Sequence, residues 1–189
     1  MAVDREPALK QLESRLNVSR ELLLPYFNDH PLHHKLERGD IDPAAFLSQV
    51  MEHLDGAADL SVAELREIHG ASFARMEQTI RTIEAFRPNL QVILLSNTNA
   101  IDIPFIEDQF GLISWADDAI LSYQVGMRKP DTEIYKYALE HYHLDPEKTL
   151  FIDDKSENTE AAQAAGIPAA RYQSATQVQE LLKQLINPG

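Results

Sequence analysis

The chain of 189 residues contains no cysteine. A disulfide framework, a thiolate metal site and a cysteine nucleophile are therefore all excluded. Positive charge is scarce, with 17 Lys and Arg against 30 Asp and Glu and a net charge of −13. Such a balance repels nucleic acid phosphates at long range, although a local basic site could still hold one phosphate group. Long apolar runs are missing as well, since none nears the roughly 18 residues that a membrane span needs. The opening stretch MAVDREPALKQLESRL has no basic segment followed by an apolar core, so no export signal is visible. The expectation is a cytoplasmic protein with no nucleic acid and no membrane partner. With 44% hydrophobic residues, 7 Gly and 10 Pro, disordered and collagen-like compositions are also excluded. What remains is a globular chain of one domain, or of one domain with a small appended module.

From Pro7 to about Ala85 the apolar residues repeat at helical spacing, as in Leu9, Leu12 and Leu16, or Phe46, Val50 and Leu54. Helix starts are marked by Ser19, by Asp42 before Pro43, and by Ser61 with Glu64 three residues on, a capping-box pattern. Gly39 and Gly56 read as breaks. This pattern predicts a small bundle of four or five helices, the last of them leading into the next module, and no strand.

After Pro88 the pattern changes. Val92–Leu95 and Thr149–Ile152 are short continuous apolar runs ending in Ser96-Asn97 and Asp153-Asp154. Runs of that kind suit parallel strands covered on both faces. Weaker strands are expected at 119–121 and 169–172, with helices around 100–110, 131–142, 157–165 and 175–186. Strand and helix alternate, which predicts a Rossmann-like parallel α/β sheet. The expected division is a helical segment over 1–85 and an α/β core over 86–189. Both strong strands end in polar residues, at the sheet edge where open α/β folds place ligands.

Three groups meet that edge. Ser96 and Asn97 could hold an anionic oxygen through a hydroxyl and backbone N–H groups, or simply cap the next helix. Lys129, just before Pro130, belongs on a loop, where taken alone it reads as a solvated lysine. Asp153 and Asp154 repel each other unless a cation relieves them. A hard divalent ion, Mg²⁺, suits such an oxygen pair; the alternative makes one aspartate a helix cap and leaves the other in solvent.

The stretches LLSNTN (94–99), GMRKPDTEIY (126–135) and LFIDDKSENTEAA (150–162) together resemble motifs of the haloacid dehalogenase-like hydrolase superfamily. The likeness is to its bacterial sugar-phosphate phosphatase group, typified by alpha-D-glucose-1-phosphate phosphatase. It covers nearly the whole chain, with the N-terminal helices, including ERGDIDPAAF (37–46), similar to that family's helical cap. The resemblance implies that Ser96 binds the transferring phosphoryl group with help from the Asn97 backbone, and that Lys129 neutralises charge on phosphoryl oxygens. It further implies that Asp154 binds Mg²⁺ with Asp153 in support. The implied reaction is hydrolysis of a small phosphorylated metabolite, such as a sugar phosphate, rather than dehalogenation. The alternative reading is a non-catalytic relative that binds phosphate or metal for regulation or assembly.

One motif of the family finds no match. Its nucleophilic aspartate ends a first, central strand, whereas here only Met1-Ala2-Val3-Asp4 precede the helices. Asp4 matches a position beyond the nucleophile loop. A missing central strand would leave ladder groups on its neighbours unpaired, at roughly 1–3 kcal/mol each. The expectation is an N-terminally shortened version of a working phosphatase, itself with weak or no activity. A natural relative that slides its sheet, or a strand donated through self-association, are the other options.

His30, His33 and His34 could gather a metal, but Pro31 interrupts them and a cap surface is the expected role. Arg38-Gly39-Asp40 reads as a turn, His141 and His143 as helix-end residues, and Phe105, Phe110 and Trp115 as core or cap contacts. Arg75, Met76 and Glu77 either line an approach to the site or form a solvated helix face.

Overall fold

The computed structural model describes residues 1–27, 30–54 and 57–187; the break expected at Gly56 lies outside them. In chain order the elements are β1 (Ala2–Val3), α1 (Glu6–Leu16), α2 (Arg20–Phe27), α3 (Pro31–Arg38), α4 (Pro43–Glu52), α5 (Val62–Gly70), β2 (Phe73–Ala74) and α6 (Glu77–Glu84). There follow β3 (Ile93–Ser96), α7 (Asp102–Phe110), α8 (Leu112–Trp115), β4 (Asp118–Leu121), α9 (Ser122–Val125) and α10 (Thr132–His141). The last are β5 (Phe151–Asp153), α11 (Ser156–Ala164), β6 (Ala169–Arg171) and α12 (Ala175–Ile186). The chain forms two compact units, one of Met1–Arg75 with Leu94–Gly126 and the other of residues 76–93 with 127–189. Each unit thus combines residues from before and after position 85.

In the first unit, α1–α5 bury one apolar face each. Leu12, Leu16, Leu23, Leu36 and Leu54 are all at most 3% exposed, and each buried leucine contributes about 1.5–3 kcal/mol. The helix ends form as the local sequence dictates. Asp42 Oδ1 accepts from Ala45 N–H at 2.7 Å to start α4. Ser61 and Glu64 close a full capping box on α5, which satisfies two of the amides that a helix start leaves without partners. Gly39 ends α3 at φ 73°, and the Arg38 guanidinium bonds Asp40 at 3.0 Å across this turn, so Arg38-Gly39-Asp40 is the turn expected. A Cβ on Gly39 would lie 2.2 Å from the Tyr123 carbonyl oxygen; glycine is what lets α3 approach α9. Gly70 on α5 gives room in the same way to the Phe105 ring of α7, which in turn meets Phe110 edge-on.

The expectation of no strand before residue 85 needs correction. Ala2 and Val3 pair antiparallel with Ala74 and Phe73, and Asp4 N–H donates to Ser72 C=O at 2.8 Å. Two-residue ladders carry no periodicity that sequence inspection can detect. The four strands expected after Pro88 are all present, in the pairs β3–β4 and β5–β6. The second unit holds the parallel β5–β6 pair, with Phe151, Ile152 and Asp153 opposite Ala169, Ala170 and Arg171. Helix α11 packs on this pair, and α6 packs on α12. Ile134 and Tyr135 of α10, with Ala162 of α11, are fully buried.

Candidate functional site

In the second unit, the cis peptide Lys129-Pro130 precedes α10, and β5 ends at Asp153. Lys129 is 9% exposed, so the solvated-lysine reading gives way. Its Nζ donates to Asp153 Oδ2 at 2.7 Å and lies 5.6 Å from the centre of the Phe151 ring, in cation–π range. The other carboxylate oxygen of Asp153 accepts from the Lys155 amide at 3.0 Å and from Asn158 Nδ2 at 2.8 Å. Burial alone would raise the Asp153 carboxyl, but the Lys129 charge and these hydrogen bonds outweigh it and hold the group below the ordinary carboxylate range. Asn158 is steadied from behind by the buried Tyr135 hydroxyl, which donates to the Asn158 carbonyl at 2.8 Å. Burial first, then the charges of Asp153 and Asp131, push that hydroxyl's pKa well up. Asp154 differs from its neighbour: its side chain is exposed, while its carbonyl accepts from Arg171 Nε at 2.9 Å.

In the first unit, Ser96 ends β3 and Asn97 follows, both half-buried. At the start of α7, Asn99 Oδ1 accepts from the Ile101 and Asp102 amides at 2.8 and 3.1 Å. Ser122 brackets Thr98, accepting from its N–H and donating to its C=O, each at 2.9 Å. Asn99 Nδ2 donates to Asp102 Oδ2 at 2.8 Å, and the other Asp102 oxygen meets His69 Nδ1 at 2.8 Å. Burial would raise the Asp102 carboxyl, yet the His69 charge and the bonds from His69 and Asn99 hold it below its usual range. No motif or periodicity points to Asp102, His69 or Ser122, whereas Asn99 closes the LLSNTN stretch (94–99).

The remaining expectations resolve one by one. His30 caps α3, its ring nitrogen accepting from Leu32 N–H at 3.1 Å, and the buried His33 pairs with Glu37 at 3.4 Å. His141, in the last turn of α10, stacks on Tyr137 at 5.1 Å, and His143 takes a left-handed turn at φ 51°. Arg75 and Met76 are half-buried, and Glu77 is exposed in the first turn of α6. Asp4 Oδ1 accepts from Glu6 N–H at 3.0 Å, at the entry to α1.

For a cation, the donors offered are hard carboxylate oxygens. Among the described residues no group of three histidine, aspartate or glutamate side chains could hold a metal ion unaided. Mg²⁺ does not require one, since it keeps several waters and takes one or two carboxylates together with substrate phosphate. The exposed Asp154 carboxylate beside the tethered Asp153 fits that demand. Among the described residues no helix is long and apolar enough to cross a membrane.

The loop lysine bonded to the aspartate that ends β5 in the second unit, and the Ser-Asn turn that ends β3 in the first, lie in the stretches by which the sequence resembles one family, and the chain belongs to it. The chain is a haloacid dehalogenase-like hydrolase, whose family model matches residues 8–166, and it has that family's α/β fold. Among its relatives, a D-ribitol-5-phosphate phosphatase of Bacteroides thetaiotaomicron is 25% identical across 98% of this chain and 92% of that protein. A sesquiterpene phosphatase of Aspergillus oryzae is 28% identical across 80% of this chain and 78% of its own length. The solved structure of a family enzyme from Bacteroides thetaiotaomicron, in complex with magnesium and inorganic phosphate, superposes with a TM-score of 0.77. It is 25% identical to this chain, with 91% of this chain and 88% of that one covered.

Proposed function

We propose that the chain is the scaffold of a Mg²⁺-dependent phosphatase acting on small phosphate monoesters, with sugar or polyol phosphates as the substrate class. The observation that carries this reading is the buried Lys129–Asp153 pair at 2.7 Å. An ammonium fixed by a carboxylate beneath a sheet edge is a preorganised charge, and phosphoryl transfer depends mainly on positioning and on stabilising negative oxygens. The Lys129 ammonium, bonded to Asp153, neutralises phosphoryl charge. The Ser96 hydroxyl donates to a phosphoryl oxygen, with the Asn97 backbone assisting. Asp154 is the residue to hold Mg²⁺, and Asp153 fixes the loop that carries it. The bound ion would supply charge neutralisation at the phosphoryl oxygens. The D-ribitol-5-phosphate phosphatase relative supports the substrate class, and the magnesium and phosphate complex of the Bacteroides enzyme supports the cofactor. Residues 1–85 correspond to the family's helical cap, as the resemblance implies.

A second reading, phosphate or metal binding without turnover, is favoured by one observation: Asp4, the aspartate ahead of the helices, has its carboxylate engaged with the start of α1. Hydrolysis of p-nitrophenyl phosphate with Mg²⁺ separates the two. Weak turnover that disappears in Lys129→Met and Asp154→Ala supports the phosphatase; orthophosphate binding without any turnover supports the second reading.

A further inference from the structure

The turn that follows β3 is tied to a helix 33 residues earlier in the chain. Asp102 is 8% exposed and Asn99 1%, and His69 of α5 reaches Asp102 at 2.8 Å. One turn before His69 on the same helix, Arg66 Nε donates to the Ile101 carbonyl at 3.2 Å. Side chains three apart share a helix face, so α5 grips the start of α7 at two points. Asn99 relays that grip. Its amide bonds Asp102 Oδ2, and its carbonyl oxygen holds the Ile101 and Asp102 amides. A rigid Asn99 fixes the chain just after Ser96, Asn97 and Thr98.

The surroundings of this bond are apolar on most sides. Leu12 and Leu16 of α1 and Phe46, Leu47 and Val50 of α4 line a small cavity together with His69. The charged groups acting on Asp102 are His69, His33 from α3 and Arg5 ahead of α1, and Arg5 also feels Glu37 of α3. On α5 itself Arg66 binds Ile101, and Glu64 pairs with Arg15 of α1 at 2.9 Å. The Arg5 guanidinium acts on both carboxylates, Glu37 and Asp102, and the His33 and His69 rings meet them at 3.4 and 2.8 Å. Buried charge persists only when paired in this way.

We infer that His69 and Asp102 are positioning residues for the Ser96–Thr98 turn: their bond holds Asn99, and through it the backbone that presents the Ser96 hydroxyl and the Asn97 N–H. The last clause rests on the phosphate-binding role proposed above; the mechanical coupling does not.

The test is amide NMR of the full chain, with orthophosphate and Mg²⁺ as the binding probe. His69→Leu, which removes the ring nitrogen facing Asp102, is expected to shift the Thr98 amide and the Asn99 side-chain amide and to weaken orthophosphate binding by about tenfold. His69→Asn, which keeps a nitrogen donor in the place of Nδ1, returns both toward the wild type, and His141→Gln moves neither. Amides that ignore His69→Leu, or that His69→Asn fails to restore, would overturn the inference. Should His69→Leu not fold, His69→Gln, whose donor sits one bond farther out, takes its place in the amide comparison. If orthophosphate fails to bind even the wild type, the phosphate reading falls, and the amide comparison still settles the coupling.

Discussion

Asp153 Oδ2 accepts from the Lys129 ammonium at 2.7 Å, with the two side chains only 7% and 10% exposed. Removing one partner of such a pair strands the other charge out of water. Lys129→Met is expected to lower stability by about 3 kcal/mol, near the low end for buried pairs, because Lys155 and Asn158 still donate to Asp153. Adding Asp153→Asn should recover a large part of the loss. Urea unfolding of the two single variants and the double variant checks this, and additive losses would refute the pairing.

Gly39 and Gly111 both have positive φ, 73° and 56°. Alanine at either carries the strain of the left-handed region, roughly 1–2 kcal/mol. Only at Gly39 does the new Cβ also meet a backbone atom, the Tyr123 oxygen; at Gly111 nothing lies within 4 Å. Gly39→Ala is therefore expected to unfold at distinctly lower urea than Gly111→Ala. Equal midpoints would show that α3 does not need its close approach to α9.

Acid should destabilise the first unit through carboxylates whose folded pKa is depressed. Glu64 is held at about 2, chiefly by the Ser61 amide and hydroxyl and then by Arg15, and Asp102 is depressed by His69 and Asn99 against the effect of burial. A depressed carboxylate adds stability that is fully present above its unfolded value and is lost as pH falls through its folded one. The urea midpoint should then decline below about pH 4. Glu64→Gln, which keeps an oxygen for the Ser61 amide, should make the decline shallower, and an unchanged slope would contradict the assignment. Because Glu64 is exposed, salt should reduce its share.

Much of the architecture is legible in the sequence where local physics decides it. Continuous apolar runs mark strands at 92–95 and 149–152, and the structure has them within two residues, at Ile93–Ser96 and Phe151–Asp153. Asp42-Pro43 and Ser61 with Glu64 mark helix starts because a cap satisfies amides only a few residues away. What escapes such reading depends on partners far along the chain. Lys129 is buried only because Asp153, 24 residues on, receives it. His69 matters only because the fold sets Asp102 against it, and a single helical turn such as Ser122–Val125 has no period to detect. Ser96, Asn97, Lys129, Asp153 and Asp154 lie in stretches that carry the family resemblance, whereas the 2.7 Å bond between Lys129 and Asp153 is visible only in the fold.

The most direct test of the proposed site is titration of orthophosphate into the full chain, followed by calorimetry, with and without Mg²⁺. The account predicts saturable binding that strengthens with Mg²⁺, loses that dependence in Asp154→Ala, and weakens by about tenfold or more in Ser96→Ala, which removes a hydrogen bond to a charged group. Absence of saturable binding in Mg²⁺, or binding indifferent to both substitutions, would contradict it.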